Sequence, residues 1–341
     1  MTTPAQDFAS LEGTRSQPLP WLWPGRLAAG RLTLIDGDPG QGKSLLTLDL
    51  AARLTTAKEL PDGYQPAEPA AVLLLPGGED NLEDTVAPRL RAAGADFHRV
   101  YAWSSTFAEP PVFPESCPRL QAMIETTRAR LVLLDPFFAF LGPDTGSLND
   151  LMIRRALGPL ARVAEATQAV FVLNRHLGKG SAGKPACYRG LGSLAILGAM
   201  RTAFLVAPHP DDPSLRVLAC TKNNLAVFPP ALGFRIVTTS DGLPRIQWTG
   251  PLDLTADDLV RLGRQRGEAV PRALRFLEQQ LACGPRDRQI LLRQAEAEGI
   301  SFRTLERAKA ELGVLSQQRR EHGRNVWYWS LPGLTRETAH Y

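Results

Sequence analysis

Residues 37–44 read Gly37-Asp38-Pro39-Gly40-Gln41-Gly42-Lys43-Ser44, directly after an apolar run at 31–36 (RLTLID) and directly before an apolar helical stretch at 44–56. The order strand, GxxxxGK(S/T), helix is that of a P-loop. Its glycines let backbone N–H groups curl around phosphate oxygens, Lys43 neutralises β/γ charge, and Ser44 offers a hydroxyl ligand to Mg²⁺ at a helix N-terminus. The eight residues therefore predict an Mg·ATP site and an α/β fold.

Short apolar runs at 71–75, 131–135, 169–173, 202–206 and 215–221 repeat outward from this stretch, separated by helical spacing at 85–93 and 151–166. Several runs are continuously apolar, as strands covered on both faces must be. The fold class expected is a mostly parallel sheet flanked by helices, with surface loops at 62–69 and 178–185.

Chemistry then falls at strand ends. Asp135 closes the run LVLLD and is placed to hold Mg²⁺ through water. Glu79 and Asp80 follow another strand; Glu79 is the candidate general base for the attacking water, and Asp80 the helix N-cap. Asn174, Arg175 and His176 end a third strand at the same carboxyl edge, where ligands sit in open α/β folds, making His176 a candidate γ-phosphate sensor. Arg201 and Lys222 flank later strands. They are ordinary surface charges unless an assembly carries them to a neighbouring subunit's nucleotide. Lys179, Lys184 and Arg189 lie in a glycine-rich loop after His176, where they are either solvated or in contact with DNA.

The chain has 341 residues, 44% hydrophobic and 22% charged, which excludes disorder of the whole and is long enough for a large domain and a small one. Its net charge of +4 is uneven: residues 261–341 carry about 15 Lys and Arg against about 9 Asp and Glu, so the tail is basic. Three helical patterns at 271–281, 286–298 and 301–312 precede two strands within 314–331 that turn near His322. This order predicts a winged helix-turn-helix. Arg303, Arg307 and Lys309 would lie on its last helix and Arg319, Arg320 and Arg324 on the wing, with Trp327 and Trp329 packing it. Charge alone is equally compatible with solvated helix faces. The division expected is a flexible 1–17, an ATPase domain over 18–255, a linker at 256–268, a winged-helix domain over 269–335 and a tail at 336–341. Four scattered cysteines read as reduced thiols, and the lack of a leader or an apolar run of membrane length predicts a cytoplasmic protein.

Together GDPGQGKS, GGED with TVAPRLRAAGAD, LVLLD, the helix NDLMIRRALGPL, RHLGKG, RGLGSLAILGAMR and TKNN resemble the RecA-like ATPases of the hexameric replicative helicase type. The similarity is greatest to plasmid RepA helicases and related AAA proteins of phages and mobile elements, over roughly 18–240. The resemblance implies a RecA-like core binding ATP and Mg²⁺, with Glu79 as base, His176 as sensor, Arg89 at the nucleotide, Arg201 as trans-acting finger and Lys222 as the lysine of the KxN segment. It implies a homo-oligomeric, hexameric ring on single-stranded DNA, with duplex DNA and a separate primase or initiator protein as further candidate partners. Two features depart from the pattern. Asn224 stands where DnaB-type helicases place an arginine, leaving the finger role to Arg201, and the C-terminal extension is additional. The function expected is a replicative DNA helicase or translocase. The alternative is an ATP-switched DNA-binding regulator that does not unwind, and a filament-forming recombination ATPase is a third reading.

Overall fold

The computed structural model describes residues 12, 14–78, 80–103, 109–142, 150–178, 185–190, 194–321 and 324–333. The main division of the chain falls between Ala256 and Asp257.

In the first unit a small antiparallel pair, β1 (Trp21–Trp23) and β2 (Leu27–Ala28), precedes β3 (Leu32–Gly37), α1 (Lys43–Thr55), β4 (Ala71–Pro76), α2 (Ala87–Ala93) and β5 (Val100–Ala102). Next come α3 (Cys117–Thr127), β6 (Ala129–Asp135), α4 (Asp150–Thr167), β7 (Val170–His176), α5 (Leu194–Ala199), β8 (Thr202–Pro208), β9 (Leu215–Asn223), β10 (Ala231–Thr238) and β11 (Pro244–Leu252). Nine strands form one sheet in the order β11-β10-β9-β8-β3-β7-β6-β4-β5. The six from β8 to β5 are parallel, and β9, β10 and β11 join antiparallel at one edge. The fold is therefore α/β with a large, mostly parallel central sheet, as expected. The run at 215–221 is indeed a strand, but antiparallel to its neighbour. The hairpin of β10 and β11 was not anticipated, because Gly233, Pro244, Gly250 and Pro251 interrupt its apolar alternation.

The two-residue period of a strand explains why these runs are continuously apolar. Val72 and Leu74, Leu131 and Leu133, Val170 and Val172 face the core beneath α1 and α2; the residues between them, Leu73, Val132 and Phe171 among them, face the core shared with α3, α4 and α5. Nearly every residue of α1 is buried, because the outer side of this helix is covered by β11, where Trp248 Nε1 donates to Asp49 Oδ2 at 2.7 Å. The predicted helix at 85–93 divides into a wide turn at Leu82–Val86 and α2. Asn81, not Asp80, caps that turn, its side chain accepting from Glu83 N at 2.7 Å.

In the second unit α6 (Ala256–Leu281) leads to β12 (Arg286–Asp287), α7 (Arg288–Ala297), α8 (Phe302–Glu311), β13 (Leu315–Glu321) and β14 (Arg324–Ser330). The expected linker at 256–268 is helical, continuous with the helix predicted from Pro271. That proline is accommodated inside the helix. The helix predicted from Arg286 begins two residues later, after the short β12 and an Asp287 cap that accepts from Gln289 N at 2.7 Å. Ser301 caps α8 as read from the sequence, accepting from Thr304 N at 3.3 Å. The three strands pair in the order β12-β14-β13 over a core of Phe276, Leu277, Leu291, Leu305 and Trp329. Trp329 is wholly buried, whereas Trp327 is half exposed and does not pack this core. Among the described residues no helix is long and apolar enough to cross a membrane.

Candidate functional site

Parallel register brings the carboxyl ends of five strands to one edge. Gly37 pairs with His176 and Val206, and Pro76 with Asp135. A cleft of about 450 Å³ opens there, lined by Gly42, Lys43, Ser44, Asp80, Arg89 and His176, with Ile236 and Pro244 of the β10–β11 hairpin as an apolar wall. The loop enters α1 through Gly42, whose φ of 89° is left-handed; a Cβ there would also lie 2.8 Å from Ile236 Cδ1. No side chain caps α1. Its first N–H groups and positive dipole end are thus presented to the cleft, the arrangement that holds phosphate.

Lys43 is buried, and its ammonium donates to Gly37 O at 2.8 Å and Asp38 O at 3.0 Å. His176 Nδ1 lies 3.2 Å from the same Nζ. An ammonium can only donate, so Nδ1 is the acceptor in this contact, which leaves Nε2 as the ring nitrogen able to donate. That nitrogen is the donor a phosphate sensor requires.

Asp135 is held at the end of β6 by hydrogen bonds from Ser44 and from Asn174 Nδ2, the latter 2.8 Å from Oδ2. Burial raises its carboxyl above the ordinary aspartate range, and the bonds from Ser44 and Asn174 and the charge of Lys43 oppose that rise. Asn174 also reaches Thr47 Oγ1 at 3.3 Å, while its own Oδ1 is buried without a hydrogen-bond partner. A hydroxyl, a carboxylate and an orphaned amide oxygen gathered beside a phosphate loop are hard oxygen donors, the set that suits Mg²⁺ shared with a nucleotide. Among the described residues no three His, Cys, Asp or Glu cluster into an all-protein cage, which such a shared ion does not need. The site thus fits Mg·ATP: Ser44 and Asp135 would hold the ion, and Lys43 and the loop N–H groups the phosphates.

Arg89 Nη1 pairs with Asp80 Oδ2 at 2.8 Å on the cleft wall, so the structure brings Arg89 to the site and gives Asp80 an ion-pairing role in place of the cap. Glu79 lies outside the described residues, as do Lys179 and Lys184. Arg189 stands at the base of its loop. It is half-buried, its carbonyl accepts from Gly178 N at 2.9 Å, and its Nε is buried without a partner.

Beneath the site lies a pair the sequence did not single out. Arg175 Nε and Nη2 donate to the two oxygens of Asp36 at 2.6 and 2.7 Å, both side chains being buried. Burial pushes the Asp36 carboxyl up, and the Arg175 hydrogen bond opposes it. Gly190 packs over this guanidinium so closely that any Cβ would collide with it, and Leu177 bridges Gly190 beside the sheet. Asn174 was likewise not assigned. Its place two residues before His176, on the same strand face, was the available signal.

Arg201 and Lys222 lie elsewhere. Thr33 pairs with Thr202 and Gly37 with Val206, so Arg201 stands at the amino edge, about 17 Å from its own P-loop at 3.3 Å per residue. Lys222 pairs with Ala203 there, and its Nζ donates to Leu197 O at 2.6 Å. Burial and the nearby charge of Arg201 lower its pKa. Neither residue can act on the nucleotide of its own chain.

In the second unit Arg303 and Arg307 are exposed one turn apart on α8, and Arg319 and Arg320 are exposed on β13; Arg324 opens β14. Lys309, by contrast, lies 4.7 Å over the ring of Trp329 and 3.8 Å from Glu306, so it is part of the packing. Cys117 and Cys220 are buried thiols, each pushed up to about 11 by burial.

No curated protein matches the chain. Among solved structures it is similar to the crystal structure of the RadB recombinase, at 15% identity and a TM-score of 0.44, over 62% of this chain and 89% of that one. Residues 2–182, more than half the sequence, match the AAA domain model, and the chain belongs to that family, whose members are typically ATPases.

Proposed function

We propose that the protein is an Mg²⁺-dependent ATPase that assembles as a ring, binds single-stranded DNA and couples hydrolysis to translocation or unwinding, as a replicative RepA-type helicase would. The observation that carries this reading is the split between the two edges of one sheet. Lys43, Ser44, Arg89 and His176 line the phosphate cleft, with Asp135 hydrogen-bonded to Ser44 beside it, while Arg201 and Lys222 stand at the opposite edge, away from this chain's own phosphate loop.

In this reading the loop N–H groups and Lys43 hold the β/γ-phosphates, and Ser44 and Asp135 hold the ion, which supplies charge neutralisation when bound. Glu79 orients and deprotonates the attacking water. His176 reads the γ-phosphate through Nε2–H, and Arg201 of an adjacent copy stabilises charge developing on the transferred group. Lys179, Lys184 and Arg189 contact the strand.

The second unit, with helix, short strand, two helices and hairpin in sequence, supports a winged helix-turn-helix over 269–335. There Arg303, Arg307, Arg319, Arg320 and Arg324 would meet phosphates of duplex DNA. Because that unit has its own core and basic surface, it also favours the second reading, an ATP-switched DNA-binding regulator without unwinding.

Steady-state ATP hydrolysis with and without single-stranded and duplex DNA, against Lys43→Ala, tests the choice. Stimulation by single strands, followed by strand displacement, supports the motor; indifference to single strands or stimulation by duplex alone transfers the conclusion to the regulator. Arg201→Ala should abolish hydrolysis while sparing nucleotide binding.

A further inference from the structure

After Asn223 the chain runs Asn224-Leu225-Ala226-Val227-Phe228-Pro229-Pro230 before entering β10. Val227 is 90% exposed and Phe228 55%. This is a held conformation. Asn223 Oδ1 accepts from the N–H groups of Leu225 and Ala226, both at 3.0 Å, and its Nδ2 donates to Gly25 O at 2.9 Å. At the other end Arg26 Nη2 donates to Pro230 O at 2.6 Å. Asn224 N donates to Arg201 O at 3.0 Å, so the loop leaves the sheet at the amino edge. Leu225 lines a cleft of about 370 Å³ there with Arg31, Arg162, Arg201 and Glu165, the last paired with Arg31 at 3.3 Å, so the cations outnumber the acid. Two adjacent apolar side chains exposed on a loop that is hydrogen-bonded on either side of them, beside a cleft with three arginines and one glutamate, have the composition of an interface anchor.

The opposite edge is its complement. Asp38, Glu83 and Asp84 are exposed at the carboxyl edge, and Ile236 and Pro244 form an apolar wall beside the phosphate loop. Among the described residues neither Arg201 nor Lys222 is ion-paired, although the two cations lie close enough for one to disfavour the charge of the other. Cations at one edge and acids at the other favour contact of unlike edges. A head-to-tail contact of that kind generates a ring or a filament.

We propose that Val227 and Phe228 are the apolar anchor by which one copy of this chain seats on the carboxyl edge of a second, against Ile236 and Pro244, so that Arg201 reaches the second copy's phosphate cleft. The inference rests on the ring reading and adds the surface that makes the contact and its direction.

Sedimentation of the full chain with Mg²⁺ and a non-hydrolysable ATP analogue, with and without single-stranded DNA, tests it. Val227→Asp and, separately, Phe228→Ser should raise the concentration needed for assembly by about tenfold or more. Each should still bind the analogue as wild type does, since both side chains lie in solvent. Direction is tested by mixing. Lys43→Ala keeps its anchor and Arg201, and Val227→Asp keeps its phosphate cleft. Each alone should be inactive at low concentration, and the mixture should hydrolyse ATP. Variants that assemble as wild type does overturn the anchor alone, and so does transfer of the defect to DNA affinity with assembly unchanged. Monomeric variants with an inactive mixture overturn its seat on the phosphate edge. A wild-type chain that stays monomeric overturns the anchor and the ring together.

Discussion

Asn174 Nδ2 donates to Asp135 Oδ2 at 2.8 Å, joining the ends of two neighbouring parallel strands beside the phosphate loop. Partners of this kind fix the orientation of a ligating carboxylate, and their loss typically costs ten- to a hundredfold in metal affinity. Asn174→Ala should therefore raise the Mg²⁺ concentration for half-maximal hydrolysis by roughly tenfold. A magnesium titration of the steady-state rate, with Mg²⁺-free nucleotide binding as control, measures this.

Asp135 bears on stability in the opposite sense. Its folded pKa is raised by burial, so the folded state binds the proton more tightly than the unfolded chain does. Its contribution is then unfavourable above the folded pKa and disappears as pH falls below the ordinary aspartate range. Asp135→Asn removes that titration and should stabilise the ligand-free protein by about 1 kcal/mol at neutral pH while abolishing Mg·ATP hydrolysis. Denaturant unfolding of both proteins across acid to neutral pH should show the difference growing as pH rises.

For His176 the decisive feature is the accepting Nδ1. His176→Ala should leave nucleotide binding within a few-fold of wild type and cut the DNA-stimulated rate by about tenfold or more. Should binding and basal rate collapse together instead, the ring is needed to hold Lys43 and does not sense phosphate.

The buried Arg175–Asp36 pair invites a double-mutant cycle. Removing one partner of such a pair typically costs 3–5 kcal/mol, whereas replacing both by apolar groups is far milder. Asp36→Leu with Arg175→Met should thus unfold at higher denaturant than Arg175→Met alone. Gly190→Ala, which drives a methyl group into the guanidinium, should behave like the single variant.

On the second unit the prediction concerns salt. If Arg303 and Arg307 each neutralise a duplex phosphate, changing both to alanine should lower the slope of log affinity against log salt by about 1.8 in the full chain. An unchanged slope places duplex contact elsewhere.

The sheet and its phosphate loop were legible because strands buried on both faces leave unbroken apolar runs and the loop has one spacing. The same periodicity could not tell that 215–221 runs antiparallel, since direction depends on the connection and not on the residues. The β10–β11 hairpin escaped because it is broken by prolines and glycines, yet it supplies Ile236 and Pro244 to the cleft. Lys43, Ser44, Asp135 and His176 were read from motif and strand-end position and Arg89 from the family resemblance, and the structure brings these residues to one edge of the sheet. Asn174 and Asp36 were not assigned, because their roles exist only where β7 lies between β3 and β6. The helix that replaces the expected linker was hidden by a polar, arginine-containing composition, which exposed helices and irregular segments share.

Three consecutive residues of β7 each engage a different element: Asn174 the end of β6, Arg175 the end of β3, and His176 the lysine that opens α1. Leu177 then meets Gly190. Strands are stiff along their length, and alternate side chains cannot be displaced independently. β7 therefore works as a ruler with graduations on both faces. A displacement of this strand end would thus be felt together at Asp135, at Asp36 beneath the phosphate loop and at Lys43.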